Sequence, residues 1–150
     1  MTNNATSALV DSLNGLLADL FTLYVKTKNF HWHVRGPNFR DLHLLFDDQA
    51  AEIFALTDII GERVRKNGAT TLTGIGAIAA KANLKDEPRA DLKPEEMVAQ
   101  LRDDNARLVE VIRAVKAAAT AAGDNATEGA ADDWTDQAQQ RHWFLAETLA

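Results

Sequence analysis

The sequence predicts an all-α protein, a bundle of four long helices with one long connection between the second and the third. Apolar residues recur at steps of three and four along four separate stretches, which is the periodicity of amphipathic helices. No stretch has the pattern of a strand. The chain has 150 residues, 46% of them hydrophobic, so it can form one domain with a sizeable core.

The first two helices are predicted to form an antiparallel hairpin. Residues 1–6 are polar and expected to be flexible, so the folded domain is placed at residues 7–150, with Ser7 as the N-cap of the first helix. The Gly36-Pro37 pair ends this helix, since glycine caps helix ends and proline cannot continue them. The second helix is expected at about residues 38–66, and the short linker makes it antiparallel to the first.

The connection at residues 67–93 is too long for a simple turn. It contains three glycines and one proline, with a weakly helical patch at residues 75–81. Connections of this length are uncommon in a compact domain unless they have a structural or functional purpose. This one can carry the chain back along the bundle, so the second and third long helices are predicted to run parallel.

Sequence signals also mark the ends of the last two helices. Pro94 suits the first position of the third helix, which Gly123 ends. Asn125 and Glu128 have the spacing of a capping box for the fourth helix, which runs to the end of the chain. No linker between these helices indicates a second domain.

Composition excludes several classes of function. The chain has no cysteine, which excludes disulfides, thiolate metal sites and iron–sulfur clusters. Its formal charge is −6, and no lysine or arginine lies in residues 1–20 or after Arg141, so a basic DNA-binding arm is not expected. The first ten residues lack the features of a signal peptide, and no segment is expected to span a membrane. A cytoplasmic protein is therefore expected.

Histidines and carboxylates gather at the end of the first helix and along the second. His43 and Asp47 are four residues apart on one side of the second helix, and Asp58 and Glu62 form a second such pair. His31 lies near the end of the first helix, where the hairpin brings it to the height of His43. Imidazole and carboxylate groups bind iron, zinc or manganese, so these five side chains predict a metal site.

The helical rise divides these ligands into two halves. Asp47 and Asp58 are eleven residues apart, about 16 Å along a helix, whereas metal–ligand bonds are about 2 Å long. Two arrangements remain open. Either the pairs belong to separate half-sites, or a second copy crosses antiparallel about a two-fold axis near residue 52 or 53. In the second arrangement, Asp58 and Glu62 of one chain face His43 and Asp47 of the other.

Each of these residues also has a structural explanation. An isolated histidine on an apolar helix is usually packed or solvated, and this interpretation is kept for His33 and His142. Trp32 is interpreted as a core or interface residue. An isolated pair of acids is usually a solvated face, but histidines and carboxylates lying together among apolar residues need a cation to be buried. The complete set therefore favours a metal site.

A series of motifs carries a resemblance to a known family: His31-Trp32, Gly36-Pro37-Asn38-Phe39, His43, Phe46-Asp47, Asp58 and Glu62. It closely resembles the Dps family of mini-ferritins, and the likeness covers nearly the whole chain. The resemblance implies a ferritin-like four-helix bundle that assembles as a hollow dodecamer. It also implies ferroxidase sites between two-fold-related subunits. The implied ligands are His31, His43 and Asp47 from one chain and Asp58 and Glu62 from the other.

The same resemblance implies a reaction. Members of the family oxidise Fe(II) to Fe(III), usually with hydrogen peroxide, and store the ferric mineral inside the shell, which protects the cell from oxidative damage. Iron is the implied metal, and zinc can substitute at the same ligands. Ferritins proper use Glu-x-x-His motifs within one bundle, and this sequence contains none.

An ion-entry pore is one interpretation of three acids at the start of the fourth helix. Asp124, Glu128 and Asp132 are spaced four residues apart. Three copies around a three-fold axis would form a negative funnel that concentrates cations. Alternatively, Asp124 is a helix cap, Glu128 is a capping-box acid and Asp132 is a solvated acid. The sequence favours neither interpretation.

Two other functions stay open. The same shell could compact nucleoid DNA, although Dps proteins that bind DNA usually use a tail rich in lysine and arginine. This chain departs from that pattern at both ends, so DNA binding is expected to be weak or absent. The ligands could also hold zinc in a helical scaffold without turnover. Metal titration without an oxidant, compared with turnover, would separate such a scaffold from a ferroxidase.

Overall fold

The computed structural model describes residues 3–150, and it contains four long helices and one short one. In chain order they are α1 (Asn4–His33), α2 (Phe39–Lys66), α3 (Ile75–Lys81), α4 (Pro94–Ala122) and α5 (Asn125–Leu149). No strand occurs in the described part of the chain. The predicted all-α fold, including the short helix within the crossover, is confirmed.

Side-chain contacts fix the directions of the helices. The end of α1 contacts the start of α2, so this pair is antiparallel. Along α1, Asp19 lies near Arg107 of α4, and Lys26 pairs with Asp104 of α4. A later residue of α1 thus contacts an earlier residue of α4, so this pair of helices is also antiparallel. Consequently α2 and α4 run parallel, as the length of the crossover predicted.

The core runs through the middle of the bundle and receives side chains from all four long helices. Complete burial of a leucine, isoleucine or phenylalanine side chain stabilises the fold by about 1.5–3 kcal/mol relative to exposure. The fully buried residues include Leu13, Leu20, Phe46, Ile60, Leu101, Ile112 and Leu145. These residues recur at helical spacing, which is why the pattern was visible in the sequence.

The first helix begins earlier than the sequence analysis placed it. Asn3 is the N-cap, and its side chain accepts a hydrogen bond from the backbone N–H of Thr6 at 2.8 Å. Residues 4–6 therefore form the first turn of α1, and the prediction of Ser7 as the N-cap is wrong, whereas the flexibility of residues 1–6 stays a prediction. Asparagine caps helices at least as well as serine, so both positions were good candidates. Residues 1 and 2 lie outside the described residues.

The apolar composition of α1 has an explanation within the bundle. By length and composition alone, α1 is apolar enough to cross a membrane. Its leucines, however, form one wall of the bundle core, and Leu9, Leu13 and Leu16 are fully buried. Contacts with α2, α3 and α4 account for the apolar composition of this helix.

The crossover is fastened along α1 by polar side chains. Asp19 is fully buried, and its Oδ1 accepts hydrogen bonds from the backbone N–H groups of Asn83 and Leu84 at 2.7 and 2.9 Å. Burial raises the pKa of the Asp19 carboxyl. Further side chains of α1 bond to crossover carbonyl groups, namely Asn14 to Thr70, Lys26 to Lys85 and Asn29 to Glu87. These bonds hold the segments of the long connection on either side of α3 against α1.

Candidate metal centre

The α1–α2 turn brings two histidines face to face. Gly36 has φ 114°, a left-handed conformation that favours glycine, and this lets the chain reverse between the helices. The rings of His31 and His43 stack with their centroids 3.9 Å apart and their planes 13° apart. Phe39 stacks with His43 at 4.9 Å. The predicted proximity of the two histidines is confirmed.

Each of these histidines is oriented by the backbone of the other. His31 Nδ1 donates to the carbonyl oxygen of His43 at 2.6 Å, and His43 Nδ1 donates to that of His31 at 2.7 Å. A carbonyl oxygen can only accept, so this geometry assigns the ring proton to Nδ1 and leaves the lone pair of the neutral ring on Nε2. Metal-binding histidines usually donate their second nitrogen to a carbonyl in this way. Both rings are therefore oriented to offer Nε2 to a metal ion.

Asp47 lies beside the histidine pair. Its Oδ1 is 3.7 Å from His31 Nε2 and accepts a hydrogen bond from Lys28 Nζ at 2.8 Å. The Lys28 hydrogen bond lowers the pKa of the Asp47 carboxyl. The structure thus brings together the three residues predicted as one half of the site, which we call the histidine half: His31, His43 and Asp47.

Lys28 was missed by the sequence analysis. It lies three residues before His31 and so shares its face of α1, a signal that could have been used. Its ammonium group occupies the side of Asp47 to which a metal cation would otherwise be drawn.

We expect Lys28→Met to strengthen metal binding at the histidine half by up to about fivefold, because Asp47 is half-exposed and such ion pairs contribute at most about 1 kcal/mol. Zinc titration by calorimetry measures this change, with Lys66→Met, a substitution at the far end of α2, as the control. Weaker binding after Lys28→Met would show that the lysine supports the site.

The remaining predicted ligands lie farther along α2. Asp58 and Glu62 are exposed, and neither side chain makes a hydrogen bond or ion pair with the described residues. Because α2 is one continuous helix, Asp58 lies about 16 Å beyond Asp47 in axial rise. Within residues 3–150, no three histidine or acidic side chains are arranged to hold a metal ion. We call Asp58 and Glu62 the acid half.

Large apolar side chains are exposed beside both halves. Phe54 and Ile59, which flank the acid half on α2, are 51% and 48% exposed. Trp32, next to His31, is also exposed, with Lys28 Nζ 5.8 Å from the centre of its ring. Trp32 is therefore not a core residue, and its assignment to an interface stays a prediction. Exposed apolar groups of this size commonly mark a surface that binds another protein.

The other two histidines stay outside the site. His33 is exposed, and its ring Nδ1 lies 2.9 Å from the carbonyl oxygen of Asn29 on the preceding turn. His142 is half-buried on α5, and among the described residues it makes no hydrogen bond, ion pair or ring contact with His31, His43 or Asp47. The interpretation of His33 as a solvated histidine is confirmed.

The predicted pore acids are engaged in different ways. Asp124, not Asn125, is the N-cap of α5, so the predicted capping box is wrong. The Asp124 carboxylate accepts hydrogen bonds from Arg63, Asn67 and Thr127. Asp132 is paired with Lys116. Glu128 alone of the three predicted pore acids has no side-chain partner among residues 3–150, so the pore stays a prediction.

The network around Asp124 predicts a dependence of stability on pH. Burial alone would raise the pKa of this carboxyl, but the bonds from Thr127, Asn67 and Arg63 hold it well below its usual range. The ionised Asp124 carboxylate therefore stabilises the fold above about pH 4, the ordinary pKa range of aspartate. This stabilisation is lost as the pH falls through the lowered pKa of the folded protein.

We expect Asp124→Ala to reduce the free energy of unfolding by about 2–4 kcal/mol at pH 7, because it removes a cap and the partner of Arg63. The difference from the parent protein should shrink on acidification, which denaturant unfolding between pH 3 and about pH 7 measures. A difference that does not change with pH would mean that the charge of Asp124 is unimportant.

Comparison with known proteins decides the family. The ferritin-like domain family matches residues 10–150. A protein of Brevibacillus brevis named DNA protection during starvation protein is 32% identical over 137 residues, which are 91% of each chain. The chain belongs to the Dps family. The Dps protein from Bacillus brevis has the same fold over both complete chains, with a TM-score of 0.95 at 29% identity.

A second solved Dps structure agrees. Dps from Thermosynechococcus elongatus has a TM-score of 0.96 at 27% identity, covering 99% of this chain and 94% of that one. The resemblance inferred from the histidine and carboxylate motifs is therefore confirmed at the level of family and fold. Membership of the Dps family and of the wider ferritin-like group supports a role in iron storage and protection.

Proposed function

We propose that this chain is a peroxide-dependent ferroxidase and iron store of the cytoplasm. The observation that carries the proposal is the reciprocal bonding of His31 and His43, which leaves the Nε2 atom of each ring available to a metal, with that of His31 3.7 Å from the Asp47 carboxylate. Neutral imidazole suits Fe(II), and carboxylates favour the harder Fe(III). A site that combines the two kinds of ligand therefore supports oxidation of bound iron.

A second copy of the chain completes the proposed site. The histidine half brings three potential ligands together but does not by itself form a metal site within residues 3–150. The acid half is about 16 Å away in the same chain, where it is exposed and has no hydrogen-bond or ion-pair partner among the described residues. A two-fold axis near the middle of α2 would bring the acid half of each subunit to the histidine half of the other. Each dimer would therefore contain two equivalent sites. The exposed apolar residues Phe54 and Ile59 would be covered by the same contact.

The proposed reaction consumes two Fe(II) ions and one hydrogen peroxide. Each Fe(II) gives one electron, the O–O bond of the peroxide breaks, and two protons complete two molecules of water. Because the two electrons go to one peroxide, no hydroxyl radical is released. The Fe(III) produced is proposed to collect as mineral inside a hollow dodecamer of this chain. The iron is thus substrate and cargo.

A double substitution tests the function. Iron(II) added to the metal-free protein, followed by hydrogen peroxide, should give a rapid rise in ferric absorbance. We expect His31→Ala with His43→Ala to abolish the rapid phase, whereas His33→Ala, an exposed histidine two residues away, should leave it unchanged. Iron oxidation at the parental rate in the double variant would refute the proposed site.

A further inference from the structure

Asparagine is followed directly by glycine at two places in this chain, Asn14-Gly15 and Asn67-Gly68. Such a pair is chemically labile, because the backbone nitrogen of the second residue can attack the side-chain amide of the first, and glycine has no side chain to obstruct the attack. The two pairs are equivalent in the sequence. The structure distinguishes them, since Asn14 lies inside α1 whereas Asn67 is the C-cap of α2.

The first pair is protected by the interior of a core helix. Asn14 and Gly15 have helical turns of α1 on both sides, and their neighbours Leu13 and Leu16 are fully buried. The Asn14 side chain also donates to the carbonyl oxygen of Thr70 at 3.3 Å. The backbone nitrogen of Gly15 can reach the Asn14 amide only when this part of α1 unravels, and the opening of core helices approaches the cost of global unfolding.

The second pair is held only by the last bonds of a helix. The Gly68 N–H donates to the carbonyl oxygen of Arg65 at 3.0 Å, and Gly68 has φ 79°, which ends α2. The Asn67 amide donates through Nδ2 to the carbonyl oxygen of Arg63 and to Asp124 Oδ2, both at 2.9 Å. Attack by the Gly68 nitrogen requires these local bonds to open but leaves the rest of α2 in place. Helix ends open at a much lower cost than helix interiors.

We propose that Asn67 is a site of covalent modification, at which the folded protein loses a side-chain amide. The backbone nitrogen of Gly68 gives up its proton and bonds to Cγ of Asn67, the bond from Cγ to the amide nitrogen breaks, and ammonia leaves with the proton. Water then opens the cyclic imide at either carbonyl, which gives aspartate or isoaspartate. The net reaction consumes one water and releases one ammonia. It uses no metal and no oxidant, so it does not depend on the proposed ferroxidase function.

The surroundings of Asn67 give this modification a structural consequence. Loss of the amide replaces a group that donates to Asp124 by a carboxylate, which can only accept. Two carboxylates would then face each other where an amide and a carboxylate are now 2.9 Å apart, and Arg63 supplies a single guanidinium to the pair. Like charges at this distance repel. The corner where the end of α2 meets the start of α5 therefore loses stability in the modified protein.

The first experiment compares the two pairs within the same molecules. The folded protein is incubated at mildly alkaline pH, and peptides that contain each asparagine are followed by mass spectrometry. We expect Asn67 to react at least about tenfold faster than Asn14, the ratio that a difference of about 1.4 kcal/mol in opening free energy produces. In concentrated urea, where neither pair is protected, the two rates should be similar.

Two results would overturn the proposed site. Equal rates in the folded protein would show that both pairs react only through global unfolding, so that the end of α2 has no special role. An Asn67 that stays unmodified while the urea sample reacts completely would show that the bonds around Gly68 do not open in the folded state.

The second experiment tests the consequence with a variant that carries the charge of the product. We expect Asn67→Asp to lower the denaturant midpoint of unfolding. The swapped variant, Asn67→Asp with Asp124→Asn, should recover most of the loss, because it restores one amide and one carboxylate and keeps a good N-cap for α5. Gln139→Glu adds the same charge at an exposed position of α5 and should leave the midpoint unchanged. A parental midpoint in Asn67→Asp, or no recovery after the swap, would refute repulsion between the two carboxylates.

Discussion

Shells assembled from two inactive variants should recover about a quarter of the parental ferroxidase activity. One variant lacks the histidine half, through His31→Ala and His43→Ala, and the other lacks the acid half, through Asp58→Asn and Glu62→Gln. Each is expected to be inactive alone, because every site then misses one half. If the two variants pair at random, half of the pairs contain one subunit of each variant. One of the two sites in such a pair combines an intact histidine half with an intact acid half, so one site in about four is complete.

Co-expression of the two variants in equal amounts, followed by the peroxide assay, measures this recovery. Mixing the two after each has assembled separately is the control, since subunits fixed in separate shells cannot combine their halves. If the site were complete within one chain, the co-expressed mixture would stay inactive. If the acid half were dispensable, the second variant alone would retain the parental rate. The experiment therefore tests the sharing of ligands independently of their chemistry.

The boundaries of helices could be predicted where one residue limits the backbone. The Gly36-Pro37 turn and the start of α4 at Pro94 lie where the sequence placed them, and Gly123, with φ 71°, ends α4. The N-termini of α1 and α5 were placed less well, because several good caps follow one another there. At α5 the choice falls on Asp124, since only that carboxylate also reaches Arg63 of α2. Such a choice depends on a distant helix.

The histidine half could be predicted because it follows from fixed geometry. A short turn and a constant helical rise bring His31, His43 and Asp47 to one height whatever the surrounding side chains do. The reciprocal hydrogen bonds and the contact of Lys28 with Asp47 could not, since they depend on side-chain rotamers. The buried hydrogen bonds of Arg141 with Asn105 and Glu52 depend on the packing of three helices, which no local pattern in the sequence describes.

A buried ion pair between α1 and α4 should have a large effect on stability. Lys26 Nζ lies 2.7 Å from Asp104 Oδ2, and their side chains are only 6% and 9% exposed. Lys26 also donates to the carbonyl oxygen of Lys85, so the pair joins both helices to the crossover. We expect Asp104→Ala to reduce the free energy of unfolding by about 3–5 kcal/mol, because it leaves the charge of Lys26 buried without a partner.

Replacing both partners should cost much less. Lys26→Met with Asp104→Leu removes the two charges together and fills similar volume, so the double variant is expected to recover most of the loss seen after Asp104→Ala. Asp11→Ala breaks the exposed pair with Lys81 and serves as the matched control, with an expected change below about 1 kcal/mol. Denaturant unfolding of the four proteins at pH 7 measures these differences. A double variant as unstable as Asp104→Ala would show that the contact of Lys26 with the crossover, rather than its charge, holds this part of the bundle together.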